Sequence, residues 1–211
     1  MSTITAPAPA PVAPPDPIPV PAQVTERLYT LDEMLDLEQD DHSYKLVDGR
    51  LEELNMGFPS GYVAGTIVHL LRIHCGEPPI AYPAVENGFA CFPGKKNRMR
   101  KPDVSVILAD RATPELFGDG FTTIRPDIAI EVISPKDLAV KLEEKLDDYR
   151  DAGIPLVWLV YPSLRRVLVL PNGGPTVTLG PDDELTGGAI LPGFRCKVSD
   201  LFAGLPEPPA D

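Results

Sequence analysis

The alternation of apolar and polar positions divides the chain into elements. In "YTLDEMLDLEQ", Thr30 followed three residues later by Glu33 forms a capping box, which predicts a short helix. "YKLVDGRLEEL" reads as two short strands joined by Asp48-Gly49, a dipeptide suited to the positive φ angles of a two-residue hairpin turn. In "GYVAGTIVHLLRIHC", Val63, Ile67, Leu70, Leu71 and Cys75 recur at helical spacing and predict an amphipathic helix lying on a sheet. "IAYPAV" and "FACF", either side of Glu86-Asn87-Gly88, suggest a second hairpin. Next come the strand "DVSVILA", a strand from Asp127 to Ser134, a helix from about Asp137 to Ala152 stopped by Gly153, and the strand "PLVWLVY". Strand, helix and strand in that order predict a β-α-β unit whose two strands are parallel neighbours. "RRVLVL", "TVTL" and "GAILPGF" read as short sheet pieces, and "VSDLFAGL" as a last helical turn capped by Ser199.

One residue does not fit this pattern. The centre of "IRPDIAIEVISPKD", Asp127 to Ser134, is apolar enough to be a strand buried on both faces, yet Glu131 stands in its middle. A buried carboxylate costs several kcal/mol unless it is paired, so another residue or a metal ion must satisfy it. By strand parity Ala129, Glu131 and Ile133 share one face, and Ile128, Ile130 and Val132 the other, which leaves Glu131 without a basic neighbour on its own strand. Two strands open on the same dipeptide, "KPDVSVIL" and "RPDIAIEV", and Pro-Asp at a strand entry is structurally ordinary. If the first of these strands lies alongside, Asp103 approaches Glu131, and the two carboxylates then need a shared proton or a cation between them. In the helix "DLAVKLEEKLDDYRDAG", Leu138, Leu142, Leu146 and Tyr149 define the buried stripe. Lys145 sits on its border, about 60° from Leu142, either reaching under the helix toward Glu131 or extending past the core edge into solvent. Lys141, one turn earlier and further from the stripe, is expected to matter little.

Composition narrows the setting. The chain has 211 residues, 43% hydrophobic and 24% charged, which suits one globular domain. That domain is expected over 26–205, after a Pro/Ala-rich tail at 1–25 and before a short tail at 206–211. A formal net charge of −12 argues against coating nucleic acid by bulk electrostatics, so a nucleic-acid partner needs a local basic patch. "PGKKNRMRK", with Lys95, Lys96, Arg98, Arg100 and Lys101, offers one immediately before Asp103, although a charged loop is also simply well solvated. His69 and His74 are five apart on their helix, not the four that brings two ligands to one face. Cys75, Cys91 and Cys196 are too scattered for a disulfide framework or a metal site and read as reduced core residues. No apolar run reaches the length of a membrane span, and the N-terminus lacks the features of a secretory signal. The expected setting is cytoplasmic, with no membrane partner.

"RKPDVSVIL", "RPDIAIEVISPKD", "KLEEKLDDYRDAGIPLVWLVYP" and "LPGFRCKVSDLF", in that order, resemble the bacterial Uma-type family of restriction endonucleases within the PD-(D/E)XK nuclease superfamily, over roughly Leu28 to Leu205. The resemblance implies an α/β fold with a restriction-endonuclease-like mixed sheet flanked by helices. It also implies divalent-metal-dependent hydrolysis of DNA phosphodiesters, with room for a homodimer. Carried over by position, Asp103 is the Asp of the PD pair and Glu131 the acid of the E-x-K pair. The x-K position is Ile133, and Lys145 matches the place on the following helix to which that lysine migrates in families of this kind. Two departures stand in "YKLVDGRLEEL" and "PSGYVAG". Lys45 occupies a position where relatives carry Glu, with Glu53 on the partner strand, and the helix start lacks a His that relatives often show.

On this reading Asp103, Glu131 and the backbone carbonyl of Val132 hold Mg²⁺ (or Mn²⁺), which activates a water and offsets phosphate charge, while Lys145 orients or deprotonates that water. Two carboxylates suffice for Mg²⁺, which keeps several waters. The alternative is a catalytically inactive nuclease-fold protein serving as a nucleic-acid-binding or protein-interaction module, favoured by Lys45 and Ile133. A third reading is hydrolysis of another phosphate ester.

Overall fold

The structure, a computed structural model, describes residues 27–37, 44–53, 57–135 and 137–207. The Pro/Ala-rich tail at 1–25 lies outside the described residues. Helix α1 (Leu31–Leu37) begins at the expected capping box: the Glu33 side chain accepts from the Thr30 amide at 2.9 Å and the Glu33 amide donates to Thr30 Oγ1 at 3.3 Å. Strands β1 (Tyr44–Val47) and β2 (Arg50–Glu53) form an antiparallel hairpin. Its turn places Asp48 at φ 51° and Gly49 at φ 79°, the left-handed pair that Asp-Gly accommodates.

Helix α2 (Phe58–Cys75) buries Val63, Ala64, Ile67, Leu71 and Cys75, close to the expected stripe. The main sheet is built from β3 (Ala81–Val85), β4 (Val104–Leu108), β5 (Ile128–Val132), β6 (Leu156–Tyr161), β7 (Arg166–Pro171) and β8 (Val177–Leu179), with helix α3 (Ala139–Asp151) between β5 and β6 in the chain. Its six strands lie in the order β3-β4-β5-β6-β7-β8. β5 and β6 are parallel, as the β-α-β reading requires, and the other pairs are antiparallel. A separate hairpin, β9 (Glu184–Gly187) with β10 (Leu191–Lys197), packs Leu185, Leu191 and Phe194 into the core on the α2 side.

The second hairpin expected between "IAYPAV" and "FACF" does not form. β3 pairs instead with β4 over five residue pairs, and Phe89 makes isolated bridges to Arg100 and Thr122. β4 is buried nearly throughout and lies between two strands, whereas Pro83, which has no N–H to donate, is suited to the edge strand it occupies. The last turn, Val198–Phe202, is capped by Asp200, which accepts from the Lys197 amide at 3.0 Å, rather than by Ser199.

The sheet separates two apolar layers, and strand parity decides which residues enter each. Ile128, Ile130 and Val132 pack with α2, while Ala129 and Ile133 pack with Leu146 and Tyr149 of α3. Leu138, expected in the α3 stripe, lies before the helix and is 63% exposed. Among the described residues no helix is long and apolar enough to cross a membrane. The three cysteines are free, Cys75 buried and the other two half-buried.

Candidate active site

Ladder register builds the site. β4 runs antiparallel to β5 with Val104 opposite Ile130, so the residue before Val104 comes opposite the one after Ile130. Asp103 and Glu131 are therefore ladder neighbours on the face that α3 covers. The Val132 amide donates to Asp103 Oδ2 at 2.5 Å, tying the entry of one strand to the end of the other.

Glu131 is buried, and α3 supplies its partners. Lys145 Nζ donates to Oε2 at 2.6 Å, and the Tyr149 hydroxyl donates to Oε1 at 2.5 Å. Of the two courses open to Lys145, the structure takes the inward one. Four residues apart on a helix, Lys145 and Tyr149 share a face, so one element brackets both oxygens of one carboxylate. The phenol was legible only as part of the apolar stripe, yet a buried tyrosine needs a partner for its hydroxyl, and that rule would have pointed to Glu131.

This bracket does not balance the charge. Among the described residues two carboxylates share one ammonium, and the imbalance falls on Asp103: burial and then the Glu131 charge push its carboxyl up to about 7, with a smaller upward push from Asp137 and smaller downward pulls from the Val132 amide and Lys145. The Tyr149 hydroxyl is driven well above its usual range, first by burial and then by the charge and hydrogen bond of Glu131, so it stays a donor. Asp127, the other Pro-Asp aspartate, shows what the sequence could not distinguish. It is buried at the entry of β5, paired to Arg111 at 2.5 Å and accepting from the Leu108 amide at 2.9 Å. One Pro-Asp carboxylate has a guanidinium and the other faces a second acid.

The basic loop departs from expectation. Arg98 and Arg100, expected to present charge to a phosphate backbone, turn inward and are buried against Asp148 of α3. Arg98 Nη1 lies 2.6 Å and Arg100 Nε 2.7 Å from the Asp148 oxygens, and Arg98 also reaches Asp48 of the hairpin turn at 2.5 Å. Lys95 joins them, 2.6 Å from Asp148 and 3.3 Å from Asp151. A fully buried aspartate requires compensating cations, and this loop is where they come from. Burial pushes the Asp148 carboxyl up, but the Lys95 hydrogen bond and the charges and bonds of Arg100 and Arg98 outweigh it and leave it below the usual range. Of the expected group, Lys96 is exposed and Lys101 half-buried.

Two lysines also meet at the hairpin. Lys141, expected to matter little, reaches Glu52 of β2 at 2.9 Å, and Lys45 reaches the same carboxylate across the hairpin at 3.0 Å. The half-buried Ile133 packs in the α3-side core, where a lysine would lose solvation. His69 is exposed, and His74 lies edge-on to Phe194 at 5.6 Å between ring centroids. Among the described residues no group of three or more His, Cys, Asp or Glu is arranged to hold a metal ion, so any cation at Asp103 and Glu131 would have two side-chain ligands and complete its shell otherwise.

The comparisons agree with this architecture. Residues 31–199 match the sequence model of the family described as "Uma2: Putative restriction endonuclease". Among solved structures, the chain is similar to that of a "putative nuclease belonging to DUF820" from Anabaena variabilis, with a TM-score of 0.66 and 23% identity. The match covers 82% of this chain and 97% of that one. At that identity the likeness speaks to the fold alone, a mixed sheet flanked by helices. No curated protein matches the sequence.

Proposed function

The chain belongs to the Uma2 family of putative restriction endonucleases, and from that premise we propose that it is a divalent-cation-dependent endonuclease acting on DNA, with Asp103, Glu131 and Lys145 at its centre. The observation that carries this reading is the charge imbalance: among the described residues two adjoining carboxylates stand against one ammonium, with Asp103 held up to about 7. Hard oxygen donors in mutual repulsion fit Mg²⁺ or Mn²⁺. A carboxylate retains acceptor capacity beyond one bond per oxygen, so the bracket on Glu131 does not exhaust it.

Asp103 and Glu131 would hold the cation. When bound, such an ion lowers the pKa of a coordinated water and offsets charge on a phosphoryl oxygen. The chain's own residues do the rest. Tyr149 fixes Glu131 Oε1 from the dry side of α3, and Lys145, already 2.6 Å from Oε2, brings a positive charge to the position where phosphate charge grows during displacement.

A plasmid nicking assay with Mg²⁺, Mn²⁺ or EDTA, run on the unmodified chain and on Glu131→Gln in parallel, tests the reading. Nicking is expected with either metal, none with EDTA, and none from Glu131→Gln. Equal nicking by both proteins would make Glu131 a structural carboxylate and end the proposal.

A further inference from the structure

Once Arg98 and Arg100 are committed to Asp148, a chain of net charge −12 still needs positive charge where an acidic backbone would approach an acidic site. Among the described residues, ammonium groups from two separate elements converge at Glu52. Lys45 arrives from β1 and Lys141 from α3, at 3.0 and 2.9 Å. Two ammoniums around one carboxylate leave a positive excess.

Its position follows from helix geometry. Lys141 and Lys145 are four apart on α3, so they share a face about 6 Å apart along the axis, and Lys145 touches Glu131. The cluster thus stands one helical turn from the candidate centre. Exposure is graded across it: the side chain of Lys141 is 53% exposed, that of Glu52 28% and that of Lys45 14%. Lys45 holds Glu52 from below and Lys141 closes over it from the solvent side.

A carboxylate and a phosphate diester present the same kind of partner to a lysine: an anionic oxygen that accepts charge-assisted hydrogen bonds. We propose that Lys141, with Lys45 behind it, is a phosphate-binding lip for duplex DNA, and that Glu52 occupies it as a resident stand-in which an incoming phosphate displaces. This rests on the endonuclease reading and specifies how its substrate is held. Lys141 keeps an anionic partner before and after the exchange, so the lip is preorganised without an unpaired ammonium. The opposing account is a simple staple, in which Glu52 only fastens the hairpin to α3. The two differ in what the loss of Glu52 does to DNA affinity.

The test is fluorescence anisotropy of a labelled mixed-sequence duplex of about 20 base pairs, bound by the full chain in EDTA to prevent cleavage, between 50 and 200 mM salt as the range over which phosphate contacts separate. Glu52→Gln is expected to tighten binding ~3–10-fold by removing the competing anion, and Lys141→Met to weaken it by a similar factor while lowering the salt slope by about 1. Urea midpoints of the same proteins report any loosening of the hairpin. Weaker binding by Glu52→Gln, or an unchanged affinity and slope in Lys141→Met, would overturn the lip. If the unmodified chain binds no duplex, the endonuclease reading and the lip fall together; if it binds and Lys141→Met is silent, the lip alone is wrong.

Discussion

Helix α3 carries two buried ionic arrangements within a few residues of each other, and their charge balances are opposite. At Asp148 one carboxylate meets Lys95, Arg98 and Arg100, drawn from a loop about fifty residues away in sequence. At Glu131 the ratio inverts: two carboxylates, one ammonium and a neutral phenol. The first is saturated with cations and joins the hairpin turn, the basic loop and the helix into one unit. The second is left short of positive charge in the same low-dielectric layer, where a deficit is felt most. A saturated cluster resists change, whereas an under-compensated one responds to an arriving cation.

The largest effect that would separate the two is on stability. Asp148→Ala strands the buried Arg100 without a counter-charge and leaves Arg98 only the exposed Asp48, and should destabilise the metal-free protein by about 3–5 kcal/mol, read from urea midpoints. Glu131→Gln, which relieves repulsion with Asp103, should leave stability within about 1 kcal/mol of the unmodified chain or raise it. Equal losses in both variants would erase the contrast.

The next effect is in the pH profile. The folded protein holds the Asp103 proton up to about pH 7, against the ordinary aspartate value of 3.8 in the unfolded chain. Its contribution to stability is therefore fully present below the unfolded value and is lost as pH rises through 7, by on the order of 4 kcal/mol. Asp148 runs the other way: its carboxyl is depressed, so its contribution is present above 3.8 and is lost as pH falls through the folded value. Chemical denaturation of the metal-free chain between pH 4 and 8 should show the decline, and Asp103→Asn should flatten it. Millimolar Mg²⁺ or Mn²⁺ should restore stability more at pH 8 than at pH 5, and at ~100 times its dissociation constant would add about 2.7 kcal/mol. A profile identical in Asp103→Asn would mean that Asp103 is an ordinary surface acid.

A smaller step concerns turnover. Lys145→Met keeps the stem beside Leu142 and Leu146 but removes the ammonium that pairs with Glu131, and nicking should fall by ~10²-fold or more while the protein still folds. Near-unchanged nicking would reduce Lys145 to a structural counter-ion. The smallest expected change is Tyr149→Phe, which deletes one hydrogen bond to Glu131 without opening a cavity and should cost about 1–2 kcal/mol of stability in the metal-free protein.

Much of this was legible in the chain because it depends on local period. The alternation in "IAIEV" placed Glu131 on the face opposite Ile130, the 100° step of α3 brought Lys145 to the edge of its stripe, and Asp48-Gly49 marked the hairpin. These are statements about a few consecutive residues, and short-range sterics decide them. Which charge meets which is a different kind of question. "KPD" and "RPD" look alike, yet Asp127 meets Arg111 and Asp103 meets Glu131. "KKNRMRK" looks like a surface patch, yet Arg98 and Arg100 are held by an aspartate on a helix that the sequence marks only as polar at that position. β3 likewise chose β4 over the nearer "FACF". Local pattern was enough for most of the elements and their faces and for the acid that needed explaining, though not for the partner of β3. Tertiary structure alone decided the pairing, because an ionised group takes whatever opposite charge folding brings within a few ångströms, however far away it lies along the chain.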